Sequence, residues 1–465
     1  MKDLKGKRVL VMGLGVHGGG LGVARWLVKQ GAQVTVTDLK TAGDLDSSLR
    51  ALRGQPIRFV LGEHRDEDFL TSDLIVRNPG VPRESRFLKL AEERGIPIEM
   101  EMGLLVERLP RGSAQVTGIT GTKGKTTTTL MAGAILAKAN LKTVVAGNLR
   151  VSALCLLDQI DAATRVVLEL SSWQLEGLVP HQTSPHVAAI TNISPDHLNR
   201  YRDFDDYASS KATIFRYQQP GDFIVLNLDS PPVTRLAAQA CSRIVWTSST
   251  RALNEGAFRE GNALIWQWEG ERTEVLDIRE MRLKGEHSVA NALVAMALAV
   301  LNGATPNQVA EGLTAFSGVE HRQEFIREFH GVQYVDDTTA TTPAATAAAL
   351  EALAPQARAL VLIAGGADKN LEFEDVAREM ARRAQHILLL EGTATDKIEG
   401  ALRKVGASNL EGRFSSLEEA VAAAASLARP GDLVLLSPGC ASFGMFANEF
   451  ERGDRFKSIV EQLGT

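Results

Sequence analysis

Residues 118–129 read Gly-Ile-Thr-Gly-Thr-Lys-Gly-Lys-Thr-Thr-Thr-Thr, and this stretch decides the fold of the middle of the chain. The apolar run before it predicts a buried strand, and apolar residues at helical spacing in 130–136 predict a helix after it. This order favours a phosphate-binding loop, with Lys125 neutralising phosphate charge and the Thr126 hydroxyl holding Mg²⁺. The generic pattern G-x-x-x-x-G-K-[ST] is broken at its first position, Ile119, so a glycine-rich helix start with a surface lysine stays as the alternative.

Composition excludes several other classes of protein. A length of 465 residues exceeds one ordinary core, so we expect about three domains. A net charge of −5 gives no sign of binding to nucleic acid or to an anionic membrane. Cys155, Cys241 and Cys440 form no CxxC pair, which is typical of a reducing compartment. There is neither a signal-peptide pattern nor an apolar run of about 18 residues, so we predict a cytoplasmic protein without a membrane span.

A second glycine-rich turn lies near the start of the chain. Gly13–Gly18 has the pattern G-x-G-x-x-G between a predicted strand and a predicted helix, and the next strand ends at Asp38, about 20 residues later. Alone, this pattern indicates a dinucleotide-binding domain, although such a turn at a helix N-terminus holds any diphosphate. We expect His17 to lie near the ligand without a catalytic role. Asn78 begins a rigid Asn-Pro-Gly turn after another strand and is either a ligand contact or only a turn residue.

Three polar side chains stand out in the middle of the sequence. Glu169 lies in an otherwise apolar strand, where a carboxylate is costly unless a cation meets it. Mg²⁺ beside Thr126 would supply that cation, and a structural ion pair is the alternative. His197 follows the apolar strand 187–193, at the same predicted sheet edge. Lys211 lies on a predicted helix, where a lysine usually faces solvent.

Three motifs together resemble those of the Mur ligase family: Gly121–Thr126, Glu169–Glu176 (Glu-Leu-Ser-Ser-Trp-Gln-Leu-Glu) and Asn192–Leu198 (Asn-Ile-Ser-Pro-Asp-His-Leu). The resemblance extends over nearly the whole chain, and the Glu169–Glu176 segment is its most specific part. The resemblance implies an α/β protein of three domains, namely a Rossmann-like UDP-substrate domain, a central P-loop ATPase-like domain with a mainly parallel sheet, and a Rossmann-like glutamate domain. Their expected bounds are residues 1–111, 112–316 and 317–465.

The resemblance also implies an activity. It is the ATP-dependent ligation of glutamate, with D-glutamate favoured over L-glutamate, to UDP-N-acetylmuramoyl-L-alanine through an acyl phosphate, in peptidoglycan precursor synthesis. ATP, two Mg²⁺ sites and a Lys211 carbamylated by CO₂ belong to this expectation. The expected partners are small molecules, without nucleic acid or membrane, and the chain is expected to be a monomer.

The resemblance assigns roles to individual residues. The expected catalytic residues are Lys125, Glu169, His197, Lys211 and Arg322, and the expected metal ligands are Thr126, Glu169, His197 and Lys211. The expected ATP-binding residues are Gly121, Thr122, Lys123, Gly124, Lys125, Thr126, Thr127, Asn291, Arg322 and Asp337. The expected UDP-substrate residues are Gly13, Leu14, Gly15, Val16, His17, Gly18, Asp38, Leu39, Asn78, Gly80 and Asn148. The expected glutamate-binding residues are His197, Thr341, Lys369, Ser442 and Phe450.

Two positions depart from the family pattern. Ser288 replaces the first Asn of a His-Asn-x-x-Asn helix start, which leaves Asn291 in place, and Thr339 stands where the well-studied branch has Lys. The missing charge keeps L-glutamate open as the alternative substrate. A folylpolyglutamate synthase-like ligase would leave the first domain without a purpose, and a nicotinamide-dependent oxidoreductase would leave Lys125, Glu169 and His197 unexplained. A non-catalytic nucleotide-binding regulator would not need the expected metal ligands.

Overall fold

The computed structural model describes residues 3–15, 19–149, 152–195, 201–283, 285–369 and 371–464. The chain divides into two compact units, Met1–Phe316 and Ser317–Thr465. In the part of the chain that the structure describes, no helix combines the length and hydrophobicity that a membrane crossing requires.

A parallel sheet opens the first unit, and its described strands number five in the order β3-β2-β1-β4-β5. The strands are β1 Arg8–Met12, β2 Gln33–Asp38, β3 Ile57–Leu61, β4 Leu74–Arg77 and β5 Ile98–Glu99. The helices are α1 Gly19–Lys29, α2 Asp46–Ala51, α3 Asp66–Thr71, α4 Arg86–Glu93 and α5 Glu101–Val106. The strand order reverses between β1 and β4, and ligands of open α/β sheets bind outside the carboxyl ends of the strands at such a point.

A larger sheet fills the rest of the first unit, with nine described strands in the order β14-β13-β12-β11-β10-β9-β6-β8-β7. The strands are β6 Val116–Thr120, β7 Thr143–Gly147, β8 Arg165–Glu169, β9 Val187–Ile190, β10 Phe223–Asn227, β11 Arg243–Ser248, β12 Gly256–Glu260, β13 Ala263–Trp268 and β14 Glu271–Asp277. The helices are α6 Lys125–Lys138, α7 Ser172–Leu175, α8 Phe204–Ala212, α9 Pro231–Leu236, α10 Glu286–Leu301 and α11 Pro306–Ala315. Short 3-10 helices cover Gly112–Gln115, Ala153–Gln159, Glu176–Leu178, Ala237–Gln239 and Ile278–Glu280.

Within this sheet, the strands from β7 to β12 pair in parallel, and only β12–β13 and β13–β14 are antiparallel among the described pairs. β6 lies in the interior between β8 and β9, and all five of its residues are buried. This explains its continuous apolar pattern, because parallel strands are covered on both faces. The run that predicted this strand is 115–119, and the observed strand begins and ends one residue later, since Gln115 belongs to a 3-10 helix.

The second unit contains one sheet, whose described strands number six in the order β15-β16-β20-β17-β18-β19. The strands are β15 Glu324–Phe329, β16 Val332–Asp336, β17 Leu360–Gly365, β18 His386–Leu390, β19 Leu410–Phe414 and β20 Leu433–Leu436. The helices are α12 Pro343–Leu353, α13 Glu374–Arg383, α14 Thr395–Lys404, α15 Leu417–Leu427 and α16 Glu449–Glu461, with a 3-10 turn at Ala354–Gln356. β15 pairs antiparallel with β16, and the other described pairs are parallel. The predicted α/β class with mostly parallel sheets is therefore confirmed.

Candidate active site

The loop between β6 and α6 is shaped by two glycines that have no room for a side chain. Gly121 has φ +148°, and a Cβ built on it would lie 2.0 Å from Thr191 Oγ1. Gly124 has φ +80°, and its Cβ would lie 2.3 Å from Asn291 Oδ1. Positive φ is readily adopted only by glycine, so both the backbone and the neighbours require it here. Asn291, an expected ATP-binding residue, thus contacts the loop from the first turns of α10.

Two polar side chains bond to the backbone of this loop, one from the segment after β9 and one from the start of α6. The Lys123 N–H donates to Asn192 Oδ1 (3.0 Å), and Asn192 Nδ2 donates back to the Lys123 carbonyl (2.9 Å). Lys125 Nζ donates to the Thr122 carbonyl (2.9 Å). The role of Asn192 was not predicted, although its position two residues after β9, at the edge that carries the loop, was a usable signal.

Glu169 is the last residue of β8 and is 1% exposed. Thr126 Oγ1 donates to its Oε2 (2.7 Å), and Asn148 Nδ2 donates to its Oε1 (2.8 Å). These donors are neutral, and Glu169 has no ion pair among the described residues, so the structural ion pair considered as the alternative is absent there. The buried carboxylate of Glu169 and the Thr126 hydroxyl beside it fit a hard cation, which prefers oxygen ligands.

Lys211 does not face solvent as a helix lysine usually does. It is 2% exposed, and its Nζ donates to the Gly121 carbonyl (2.9 Å) and lies 4.6 Å from the centroid of the Tyr207 ring. Tyr207 Oη in turn lies 3.2 Å from Thr122 Oγ1, so one face of α8 contacts the phosphate-binding loop. The fourth expected metal ligand, His197, lies outside the described residues.

The described part of the first glycine turn is held by the acid that ends β2. Asp38 Oδ2 accepts the N–H groups of Leu14 (2.8 Å) and Gly15 (3.1 Å), and its Oδ1 accepts that of Lys40 (2.9 Å). Asp38 is buried, whereas the neighbouring Leu39 side chain is exposed. The expected residues Val16, His17 and Gly18 lie outside the described residues.

Asn78 closes its own turn, because its Oδ1 accepts the Gly80 N–H (3.1 Å). Its Cβ lies 3.0 Å from where a Cβ on Gly13 would be, so the turn after β4 packs against the glycine turn after β1. The structure therefore brings Asn78 and the described part of the glycine turn together at the point where the strand order reverses.

In the second unit, Asp337 is buried directly after β16. Its Oδ2 accepts the Ser437 hydroxyl (2.8 Å), and its Oδ1 accepts the Gln323 N–H (3.2 Å). Burial raises the pKa of Asp337 to about 7, although these hydrogen bonds and the charge of Arg322 oppose the shift. Arg322 is itself exposed.

A second buried polar pair beside Asp337 was not predicted. His321 Nδ1 lies 2.7 Å from Asp336 Oδ2, and both side chains are buried. Burial alone would lower the pKa of His321, but the hydrogen bond and charge of Asp336 outweigh it and raise the pKa. Thr339 Oγ1 donates to the His321 carbonyl (2.9 Å), so this residue supports the backbone.

Of the residues expected to bind glutamate, four lie in the second unit, in three loops and at the start of α16, and His197 lies outside the described residues. Lys369 Nζ donates to Thr341 Oγ1 (3.0 Å), which brings two of them together. Ser442 Oγ is buried and has no hydrogen-bond partner among the described residues, as expected of a group that meets a ligand. Phe450 lies near the start of α16, with its ring centroid 5.6 Å from that of His321.

Comparison with known proteins identifies the family. The Mur ligase MurD-like N-terminal domain matches residues 7–99, the Mur ligase middle domain matches 119–299, and the Mur ligase glutamate ligase domain matches 321–440. A UDP-N-acetylmuramoylalanine--D-glutamate ligase of Roseiflexus sp. (strain RS-1) is 50% identical over 99% of this chain and 100% of its own length. A ligase of the same name from Symbiobacterium thermophilum is 40% identical over 98% of each chain.

A solved structure agrees with this result at the level of the fold. The UDP-N-acetylmuramate-alanine ligase of Thermotoga maritima is 20% identical, with a TM-score of 0.62 over 98% of this chain and 100% of that chain. The three matched domains and the full-length relatives lead to one conclusion: the chain belongs to the Mur ligase family.

Proposed function

We propose that this protein joins D-glutamate to UDP-N-acetylmuramoyl-L-alanine, with hydrolysis of ATP, in peptidoglycan precursor synthesis. The observation that carries the proposal is the buried Glu169, which accepts hydrogen bonds from Thr126 and Asn148 beside a phosphate-binding loop. The names of the full-length relatives support the choice of substrates and of the D-enantiomer. We place the protein in the cytoplasm as a monomer with domains at residues 1–111, 112–316 and 317–465.

The residues around Glu169 fit a divalent cation. Thr126 and Glu169 would hold one Mg²⁺, while His197 and a carbamylated Lys211 would hold a second. Bound Mg²⁺ would neutralise negative charge on the phosphate oxygens during phosphoryl transfer. Carbamylation joins the Lys211 amine nitrogen to CO₂. Starting from the ammonium form, two protons are released in all, so a cation becomes an anion. The burial of Lys211 beside the loop supports this assignment.

The chain's own residues act mainly by positioning and by neutralising charge. Lys125 and the N–H groups of Gly121–Thr127 hold the ATP phosphates so that the substrate carboxylate attacks the γ-phosphorus and ADP leaves. The glutamate amine then attacks the acyl phosphate carbon. The tetrahedral intermediate expels phosphate, and the amine proton is lost as the amide forms. Asn291, Arg322 and Asp337 bind the nucleotide in this proposal.

The two other substrates have sites in the first and last sheets. Gly13–Gly18, Asp38, Leu39, Asn78 and Gly80 bind the UDP part of the substrate, and Asn148 contacts its muramoyl part. Glutamate is bound by His197, Thr341, Lys369, Ser442 and Phe450. The buried Ser442 hydroxyl, which has no hydrogen-bond partner in the described part of the chain, and the Lys369–Thr341 contact support the glutamate site.

The proposal is tested by measuring phosphate release from ATP with UDP-N-acetylmuramoyl-L-alanine and each glutamate enantiomer separately. We expect release with D-glutamate, with none when either substrate is omitted, and an amide product of the corresponding mass. Release with L-glutamate but not with D-glutamate would show that L-glutamate is the substrate. Release without an amide product, or no release with either enantiomer, would contradict the proposed ligation.

A further inference from the structure

Glu101, the first residue of α5, is a buried carboxylate held by donors from a single segment. Ser152 Oγ donates to Glu101 Oε1 (2.5 Å), and the N–H groups of Ala153 and Leu154 also donate to this carboxylate. These donors stand at the start of the 3-10 helix Ala153–Gln159. No cationic side chain pairs with Glu101 in the described parts of the chain. A carboxylate from the region of the first sheet thus caps a helix of the central sheet.

The capped segment leads back to the proposed metal carboxylate. Asn148, which donates to Glu169, lies just before the capped helix in the sequence, and Arg150 and Val151 between them lie outside the described residues. Ser152 follows Asn148 by only four residues in the sequence, so the residue that bonds to Glu101 and the residue that bonds to Glu169 belong to one short stretch of the sequence.

On its other side, Glu101 borders the proposed UDP site. It lines a small cavity together with Gly19 and Gly20 at the start of α1 and with Asn78 after β4. The glycine turn leads directly into α1, and Asn78 packs against Gly13. One side chain therefore lies between the site proposed for the UDP part and the segment proposed for the muramoyl part.

Close contacts around Glu101 leave little room for α1 and the capped segment to shift relative to each other. A Cβ on Gly22 of α1 would lie 2.2 Å from Ser152 Cβ, so the helix and the capped segment are already in close contact. The buried Arg77 guanidinium donates to the Val81 carbonyl (2.7 Å) and also pairs with Glu176. This second bridge joins the turn after β4 to the segment that follows Glu169.

We propose that Glu101 is a positioning residue of the ligation: by capping Ala153–Gln159 it sets the placement of Asn148 relative to the Asn78 turn, and so aligns the UDP-linked substrate with Glu169. The inference rests on the proposed function. Glu101 acts through the segment that it holds and does not touch the reacting atoms. Losing the cap should therefore weaken use of the UDP-linked substrate while ATP binding persists, because misplacement of a bound substrate slows reaction without removing other sites.

The test uses the full-length protein at pH 8.5, because burial raises the pKa of Glu101 to about 7 and the carboxylate form then predominates. Glu101→Gln keeps the shape but turns an amide N–H₂ toward the donors. We expect KM for UDP-N-acetylmuramoyl-L-alanine to rise about 10-fold and kcat to fall about 10-fold, while KM for ATP changes less than about 2-fold. Ser152→Ala should shift the same constants in the same direction by less, because two donors remain.

Glu101→Asp keeps the charge and should recover part of the loss, which a role limited to packing would not predict. Glu93→Gln, at an exposed glutamate of α4, is the matched control and should leave all constants unchanged. Thermal unfolding of each variant shows whether it is folded at the assay temperature. Unchanged KM for the UDP-linked substrate in a folded Glu101→Gln, or equal rises in KM for all substrates, would overturn the inference alone. A wild type without ligation activity would overturn the proposed function and the inference with it.

Discussion

At the scale of single residues, the site depends on charges placed where water does not reach. Glu169 and Lys211 are both buried beside the loop between β6 and α6. Glu169 accepts hydrogen bonds from Thr126 and Asn148, and Lys211 donates to the Gly121 carbonyl. Burial of an ionised side chain costs free energy, which a protein retains when the charge serves binding or catalysis.

Glu169→Gln separates the cost of this buried charge to stability from its role in the reaction. We expect ligation to fall by at least about 100-fold, because charge stabilisation in a buried site is lost. Without nucleotide and metal, the thermal unfolding temperature should stay equal or rise, because a buried charge has been removed. Activity assays and calorimetry on the same preparation check both results. Glu271→Gln, at an exposed glutamate of β14, is the control and should change neither. An active Glu169→Gln would contradict the proposed metal site.

Lys125→Ala and Lys211→Ala should each abolish ligation for different reasons. The first removes a cation that holds phosphate, and the second removes the group that carries the proposed carbamate. Short carboxylic acids such as formate or acetate should partly restore Lys211→Ala, because they supply an anion in the space left by the buried side chain. They should not restore Lys125→Ala. Phosphate-release assays with increasing acid check this, and equal failure of rescue would count against carbamylation.

At the scale of elements, glycines decide how strands, loops and helices meet. The loop before α6 passes so close to α10 that Asn291 Oδ1 occupies the place where a side chain on Gly124 would begin. A strand–glycine loop–helix pattern predicts such a loop, but it cannot say which distant helix packs against it, since that contact joins residues far apart in the sequence.

Gly124→Ala should therefore damage the site more than its size suggests. The backbone at φ +80° is unfavourable for alanine by about 1–2 kcal/mol, and the new Cβ would displace Asn291. We expect KM for ATP to rise at least about 10-fold, together with a loss of stability of about 1–3 kcal/mol. Gly221→Ala is the control, because nothing lies within 4 Å of its added Cβ. Kinetics with varied ATP and urea unfolding measure the two effects, and wild-type values would contradict the described loop.

At the scale of the whole molecule, the first unit combines two sheets that share polar contacts. Glu101 caps the helix Ala153–Gln159, and Arg77 pairs with Glu176, so the region of the first sheet is bonded to segments of the central one. Such contacts make the stability of the unit sensitive to the protonation of a group in the shared interior.

The raised pKa of Glu101 predicts how the stability of this unit changes with pH. Burial raises its pKa from 4.5 to about 7 in the folded chain. Between pH 4.5 and about 7, the folded state retains a proton on Glu101 that the unfolded state loses. The contribution of this proton to the free energy of unfolding is complete below pH 4.5 and is lost as the pH rises through about 7. Relative to Glu101→Gln, the free energy of unfolding of the wild type should fall by about 3 kcal/mol over this window. Urea unfolding at several pH values checks this, and parallel pH profiles would contradict the assignment.

The sequence by itself determined the α/β class, the glycine loop between a strand and the helix that begins at Lys125, and the carboxylate of Glu169 in an apolar strand. Each follows from a local pattern, because an apolar run, a glycine position or a charge within an apolar strand can be recognised within a few residues. Only the tertiary structure decided that Asp38 accepts N–H groups of the first glycine turn, that Lys211 is buried against Gly121, and that Glu101 accepts the Ser152 hydroxyl. These contacts join residues far apart in the chain, so they arise only when the sheets pack and exclude water.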